Sequence, residues 1–231
     1  MTGAYRTPSG GRIDRARPLR FTFDGRSYAG CAGDTLASAL IANGVHLMAR
    51  SFKYHRPRGL LALGAEEPNA LVALDAGPGR VTPNLRATQI ELYDGLKATS
   101  QNAWPSLGWD ALALTGLFAD FMPAGFYYKT FMQPKGAWAR LYEPIIRRAA
   151  GVGTAPKAAD PDHYAGEYAH CDVAVVGAGP AGLSAALAAA RAGVRVMLFD
   201  EQAEFGGSLL AETSARIESA DSSVWAIQPL M

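Results

Sequence analysis

Three glycines and a carboxylate carry the clearest chemistry in this sequence. In "CDVAVVGAGPAGLSAALAAARAGVRVMLFDE", Gly177, Gly179 and Gly182 keep the G-x-G-x-x-G spacing, and Asp200 follows 23 positions after Gly177. Residues of these types at these intervals suit a dinucleotide. Gly177 permits a tight turn, Gly179 lets the backbone approach a pyrophosphate, and Gly182 lets helix and strand pack closely. A helix opening behind the loop offers free N–H groups and its positive dipole end to the phosphates. Asp200 then accepts hydrogen bonds from the adenosine ribose hydroxyls, and Glu201 beside it adds a second negative charge. A 2′-phosphate would meet both carboxylates and no nearby arginine, which disfavours NADP and leaves FAD and NAD open.

The spacing alone is weak evidence, because glycines recur in ordinary turns. Its setting strengthens it. "CDVAVVG" reads as a buried parallel strand, "PAGLSAALAAARAG" as a helix ending at Gly193, and "VRVMLFD" as a second strand closing on an acid. Gly206 and Gly207 in "EFGGSLL" allow another close approach to a ligand, or else form a plain turn.

Other residues offer less. His46, His55, His163 and His170 lack metal-ligand spacing, and neither a G-x-S-x-G elbow nor a pair of catalytic cysteines occurs. Arg50, Lys53, Arg56 and Arg58 in "RSFKYHRPRG" form a basic loop, read as a solvated face or as an anion or subunit contact. A net charge of +1 gives no reason to expect nucleic acid or a membrane surface as partner. The most apolar segment, "ALALTGLFADFM", is far shorter than the roughly 20 residues that span a bilayer. With only Cys31 and Cys171 there is no disulfide framework, which points to a reducing compartment and a cytoplasmic protein.

The elements that must position these residues follow from pattern. Residues 1–17 read as a flexible tail. "LRFTFDGRSYAG" alternates Leu19, Phe21 and Phe23 around an Asp24-Gly25 turn, the signature of a tight hairpin. "GDTLASALIANGV" reads as a short helix with Asp34 at its N-cap and Asn43-Gly44 as its stop. With the later strands "NALVALDA" and "ATQIELYD", residues 18–95 form a β-grasp or another small α+β domain. Residues 96–150 are an aromatic-rich connector with Trp104, Trp109, Phe118, Phe121, Phe126, Tyr127, Tyr128, Phe131, Trp138 and Tyr142, broken by prolines at 105, 123, 134 and 144. Such a layer reads as core or subunit interface, with a binding pocket as the alternative. Residues 151–170 are a linker, and 171–231 the first half of a Rossmann-type domain. The fold class is therefore α+β followed by α/β.

Several strings together carry a family resemblance. "SFKYHRPRG", "GAEEPNALV", "SQNAWPSL", "PAGFYYKTF" and "VVGAGPAGLSAA" occur in the order found in the α subunits of heterotetrameric sarcosine oxidases, which this chain resembles from about residue 18 to 210. The resemblance implies a ferredoxin-like β-grasp domain followed by a dinucleotide region that carries NAD, with FAD as the alternative. It places Gly177, Gly179, Ala181 and Gly182 at the pyrophosphate, Asp200 and Glu201 at the ribose, and Ser208 in a following loop that approaches the nucleotide. It implies β, γ and δ partner subunits, FAD and FMN elsewhere in the complex, and folate chemistry in a region that this chain lacks. Such a complex demethylates sarcosine oxidatively to glycine with hydrogen peroxide and, with tetrahydrofolate, 5,10-methylenetetrahydrofolate. The chain is expected to be an amino-terminal portion, inactive alone and binding nucleotide weakly. Competing readings are an FAD-binding subunit of a related amine, opine or cyanide-producing flavoprotein, and a non-catalytic docking module.

An iron–sulfur cluster is not expected. A plant-type centre needs three cysteines clustered as C-x₄-C-x₂-C plus a fourth, and "RGLLALGAEEPNALV" holds none.

Overall fold

The computed structural model describes residues 3–121, 125, 131, 133–151, 153–210, 212, 216–217 and 220–221. The chain divides into two compact units, Met1–Asp162 and His163–Met231.

The first unit is built on a hairpin. β1 (Asp14–Phe23) and β2 (Arg26–Ala32) pair antiparallel, with Phe23 opposite Arg26. Asp24 and Gly25 both take positive φ, 48° and 75°, as a tight two-residue turn between twisted strands requires. The helix α1 (Leu36–Ala42) follows, and its cap lies one residue beyond the expected one. Thr35 Oγ1 accepts from Ser38 N–H at 3.1 Å, and Ser38 Oγ accepts from Thr35 N–H at 3.0 Å, forming a capping box. Asp34 is already committed. It is buried, accepts from Cys31 N–H and Ser38 Oγ–H, both at 2.8 Å, and pairs with both terminal nitrogens of the Arg6 guanidinium.

After α1 come the short strands β3 (Ala49–Arg50) and β4 (Pro57–Arg58), then β5 (Leu71–Asp75), β6 (Val81–Arg86) and β7 (Leu96–Ser100). A mixed five-stranded sheet runs in the order β2-β1-β7-β5-β6, with β1 and β7 parallel and the other pairs antiparallel. Phe21, Leu36, Leu40, Val72 and Leu96 are fully buried where α1 covers this sheet. Each such side chain contributes about 1.5–3 kcal/mol of burial. The sheet therefore continues past residue 95. Leu96 and Ala98 alternate with Lys97 and Thr99 and put β7 at its centre.

Two expected loose segments are held to this unit. In the tail over residues 1–17, Tyr5 N–H donates to Ala42 O at 3.1 Å and Arg6 reaches Asp34. In the linker, Gly153 N–H donates to Asn84 Oδ1 at 3.1 Å and Asp162 pairs with Arg80. Asn84 and Arg80 flank or belong to β6, an outer strand, so residues 153–162 lie along the edge that would otherwise invite strand pairing. Residues 163–170 are exposed throughout.

Beyond β7, the connector holds a 3₁₀ run (Ala111–Phe121), a π-helical turn (Trp138–Tyr142) and α2 (Glu143–Ala150). Phe131 and Tyr142 pack with ring centroids 4.8 Å apart. Trp104, Trp109 and Phe118 are exposed. Pro123, Phe126, Tyr127 and Tyr128, as well as residues 222–231, lie outside the described residues.

In the second unit, β8 (Val173–Val176) and β9 (Val196–Phe199) are parallel neighbours joined by α3 (Pro180–Arg191). β8 is not the buried strand its composition suggests. Its burial alternates, and Val176 is 86% exposed, because α3 covers one face only. A short ladder of β10 (Arg216–Ile217) and β11 (Ala220–Asp221) follows.

Candidate functional site

The glycine loop joins β8 to α3. Gly177 takes φ +99°, and its N–H donates to Phe199 O at 2.7 Å, which ties the turn to the end of β9. Gly179 is the extended N-cap of α3, Pro180 occupies the first helical position, and Leu183 N–H closes the first bond onto Gly179 O at 2.9 Å. Proline suits that position because its missing N–H would have had no helical partner. The N–H groups of Ala181 and Gly182 come before that first bond, so they belong to the open end of the helix.

Each glycine has a separate steric reason. A Cβ on Gly182 would sit 1.8 Å from Gly177 O, so any side chain there would force α3 off β8. A Cβ on Gly177 or Gly179 would meet nothing within 4 Å. Gly177 is glycine for its conformation. Gly179 has open space above its backbone, which is the shape a pyrophosphate needs in order to approach.

Asp200 ends β9 and turns back to the loop. Its Oδ2 accepts from Ala178 N–H at 2.5 Å and its Oδ1 from Gln202 N–H at 2.8 Å. The bond from Ala178, then that from Gln202, holds the carboxyl below the usual aspartate range against a smaller opposing effect of burial. Glu201 and Ser208 are exposed, as is Ala181 at the start of α3. Ser208 sits in a 3₁₀ turn (Gly207–Leu210) whose Leu209 packs with Ala178 and Leu183.

Sequence reasoning missed Ala178. It is fully buried, and its carbonyl accepts from Gly206 N–H at 2.8 Å while its N–H goes to Asp200. Gly206 and Gly207 thus back the loop. Gly207 takes φ +54°, and a Cβ on it would lie 3.0 Å from Gly179 Cα. The glycine pair was the available signal, and its contact is with the loop's own backbone. Gly177, Gly179, Gly182 and Asp200 are brought together, and Ser208 is carried beside them. Glu201 stays at the periphery. The arrangement offers a concave backbone, an open helix N-terminus and a carboxylate at a strand end, which fits the adenosine diphosphate part of a dinucleotide.

Comparisons with known proteins divide along the same line. Residues 16–103 match a family described as a 2Fe-2S iron-sulfur cluster binding domain, and residues 172–227 match FAD dependent oxidoreductases. The chain is 62% identical over 211 residues to sarcosine oxidase subunit alpha of Rhizobium meliloti (strain 1021), covering 91% of this chain and 21% of that protein. It is 33% identical over 219 residues to sarcosine oxidase subunit alpha of Corynebacterium sp. (strain U-96), covering 94% and 18%. L-proline dehydrogenase from P. horikoshii superposes with a TM-score of 0.49 at 19% identity, covering 94% of this chain and 31% of that one. The chain spans about a fifth of the length of the curated relatives it matches.

Two expectations on cofactors are corrected. The match over residues 16–103 is to a cluster-binding domain, which overturns the expectation that no iron–sulfur cluster belongs here. The match over residues 172–227 favours FAD over the NAD expected first. The thiols present do not themselves make up a four-cysteine set. Cys31 is the one cysteine in residues 16–103 and is fully buried, and among the described residues no three His, Cys, Asp or Glu side chains group as metal ligands.

Proposed function

We propose that this chain, a homologue of the sarcosine oxidase α subunits over about a fifth of their length, supplies the adenine-dinucleotide cradle of an amine-oxidising flavoenzyme. The observation that carries the reading is the double hold on Ala178. Asp200 fixes its N–H and Gly206 its carbonyl, so the backbone around Gly179 is shaped before a ligand arrives. Pre-shaping of this kind lowers the ordering cost of binding.

FAD is the nucleotide favoured by the family match over residues 172–227. NAD, which the resemblance to sarcosine oxidase suggested, is the competitor. When bound, a flavin would accept the hydride equivalent of an amine substrate. The residues here bind and orient the nucleotide's ADP end, with the phosphates facing the Ala181 and Gly182 N–H groups and the ribose facing Asp200. The order β2-β1-β7-β5-β6 supports reading the first unit as a β-grasp domain, and β8–α3–β9 supports reading the second as part of a Rossmann-type domain. Partner subunits, oxidation of sarcosine with release of hydrogen peroxide, transfer of the methyl carbon to tetrahydrofolate and a cytoplasmic location belong to the same reading. The relatives' name as subunit alpha supports further subunits. Among the described residues no helix is long and apolar enough to cross a membrane.

Heat release of the nucleotide from purified protein, alone and co-expressed with partner subunits, tests the reading. A flavin absorption with the mass of FAD is expected. An adenine-only spectrum with the mass of NAD would reassign the nucleotide, and its absence from both preparations would remove the cradle reading. A docking role is the second reading, favoured by the exposed Trp104 and Trp109.

A further inference from the structure

The basic loop "RSFKYHRPRG" belongs to the first unit, and the fold gives its arginines separate tasks. β3 and β4 form a two-rung ladder with Ala49 opposite Arg58 and Arg50 opposite Pro57. The intervening turn is closed by Ser51 N–H to Arg56 O at 2.9 Å and Arg56 N–H to Ser51 Oγ at 3.0 Å. Arg50 points its guanidinium at backbone carbonyls: Leu107 O at 2.6 and 3.0 Å and His55 O at 3.1 Å. Among the described residues no carboxylate pairs with it there. Arg58 is exposed, and among the described residues its guanidinium has no hydrogen-bond or ion-pair partner. The side-chain amide of Asn69 is likewise without one.

Arg50, Arg58 and Asn69 border one cleft of about 140 Å³, together with Ser51, Phe52 and Asn102, and among the described residues no acid lines it. That volume equals roughly five waters, too small for a nucleotide and sufficient for one compact anion. Two arginines without a counter-charge give the cleft a positive potential, focused by its concavity. The planar guanidinium fork of Arg58 matches an oxyanion, and the Asn69 amide adds a neutral donor. We infer that this cleft binds a small oxyanion, a phosphate or a short-chain carboxylate, through Arg58 and Asn69, with Arg50 as a fixed charge behind them.

The test is NMR titration of the full chain with inorganic phosphate and, separately, with acetate, following Arg58 Nε–H and the Asn69 side-chain amide. Saturable shifts at both groups are expected with at least one anion, and which anion saturates separates a phosphate source from a carboxylate source. Arg58→Gln should weaken binding by about tenfold or more, the effect of one hydrogen bond to a charged group. The exposed Arg58 side chain holds nothing else, so the variant should fold normally. Arg17→Gln, on the exposed part of β1, should change nothing. Absence of saturation with both anions, or equal affinity in wild type and Arg58→Gln, would overturn the inference.

Discussion

His55 Nδ1 lies 2.7 Å from Asp110 Oδ2, and the pair joins segments 55 residues apart in a buried setting. The other ring nitrogen lies 2.8 Å from Ala149 O, near the C-terminus of α2. Asp110 Oδ1 also accepts from Trp104 N–H at 3.0 Å and Leu112 N–H at 3.1 Å. One carboxylate therefore gathers the 51–56 loop, the 104–111 hairpin and the start of the 3₁₀ run.

Removing that carboxylate should be costly. Asp110→Ala takes the partner from His55 Nδ1 and the acceptor from the Trp104 and Leu112 N–H groups, and should destabilise the first unit by about 1–3 kcal/mol. Trp104→Ala on the exposed face should cost little, within about 0.5 kcal/mol. Urea unfolding of both variants checks this, and similar losses would show that the pair is no anchor.

Glu67 should make stability fall in acid. Burial opposes its ionisation, but four backbone donors outweigh this: Ala62, Asn69 and Leu61 at 2.7 Å and Ala70 at 3.2 Å. The carboxyl is thus held below the ordinary glutamate range. A lowered folded value means that its stabilisation is complete above the unfolded value of about 4.3 and is lost as pH falls through the folded one. Glu67→Gln should be less stable than wild type at pH 7, and the gap should narrow as pH falls below about 4. Urea midpoints across that range decide it; a gap independent of pH would refute the assignment.

Asp200 should serve both loop and ligand. Asp200→Ala removes the acceptor for Ala178 N–H and should weaken nucleotide binding in the assembled subunit by about tenfold or more. Asp200→Asn keeps a side-chain oxygen for Ala178 and should lose less. Calorimetry on both variants reads the difference, and unchanged affinity in Asp200→Ala would separate this residue from the site.

Gly182→Ala should unfold the second unit locally, since its Cβ would fall 1.8 Å from Gly177 O. Loss of helical circular dichroism, with the first unit's urea transition intact, is the expected result. A variant with full helicity and nucleotide binding would contradict the packing described.

Limited proteolysis should cut within residues 163–170 and spare 153–162. Residues 154–170 are all exposed, but Gly153 and Asp162 tie residues 153–162 to Asn84 and Arg80 beside β6. Mapping the first cleavage by mass spectrometry tests this, and early cleavage between 153 and 162 would mean that the edge is uncovered in solution.

The sequence by itself determined whatever depends on neighbours along the chain. The Asp24-Gly25 hairpin, the Asn43-Gly44 stop and the Gly177–Gly182 turn were legible because steric limits on φ act within a few residues. The position of Asp200 followed from strand and helix lengths, which fix how far apart the two strand ends lie. Tertiary structure decided where distant groups compete for one partner. Asp34 reads locally as a helix cap, yet Arg6 and the Cys31 N–H claim it, and Thr35 takes the cap. Glu67, His55 and Ala178 carry no local mark of their roles, because burial and hydrogen bonds across tens of residues appear only after the chain has closed on itself. The same holds for β8, which reads as buried by composition while among the described residues only one of its faces is covered.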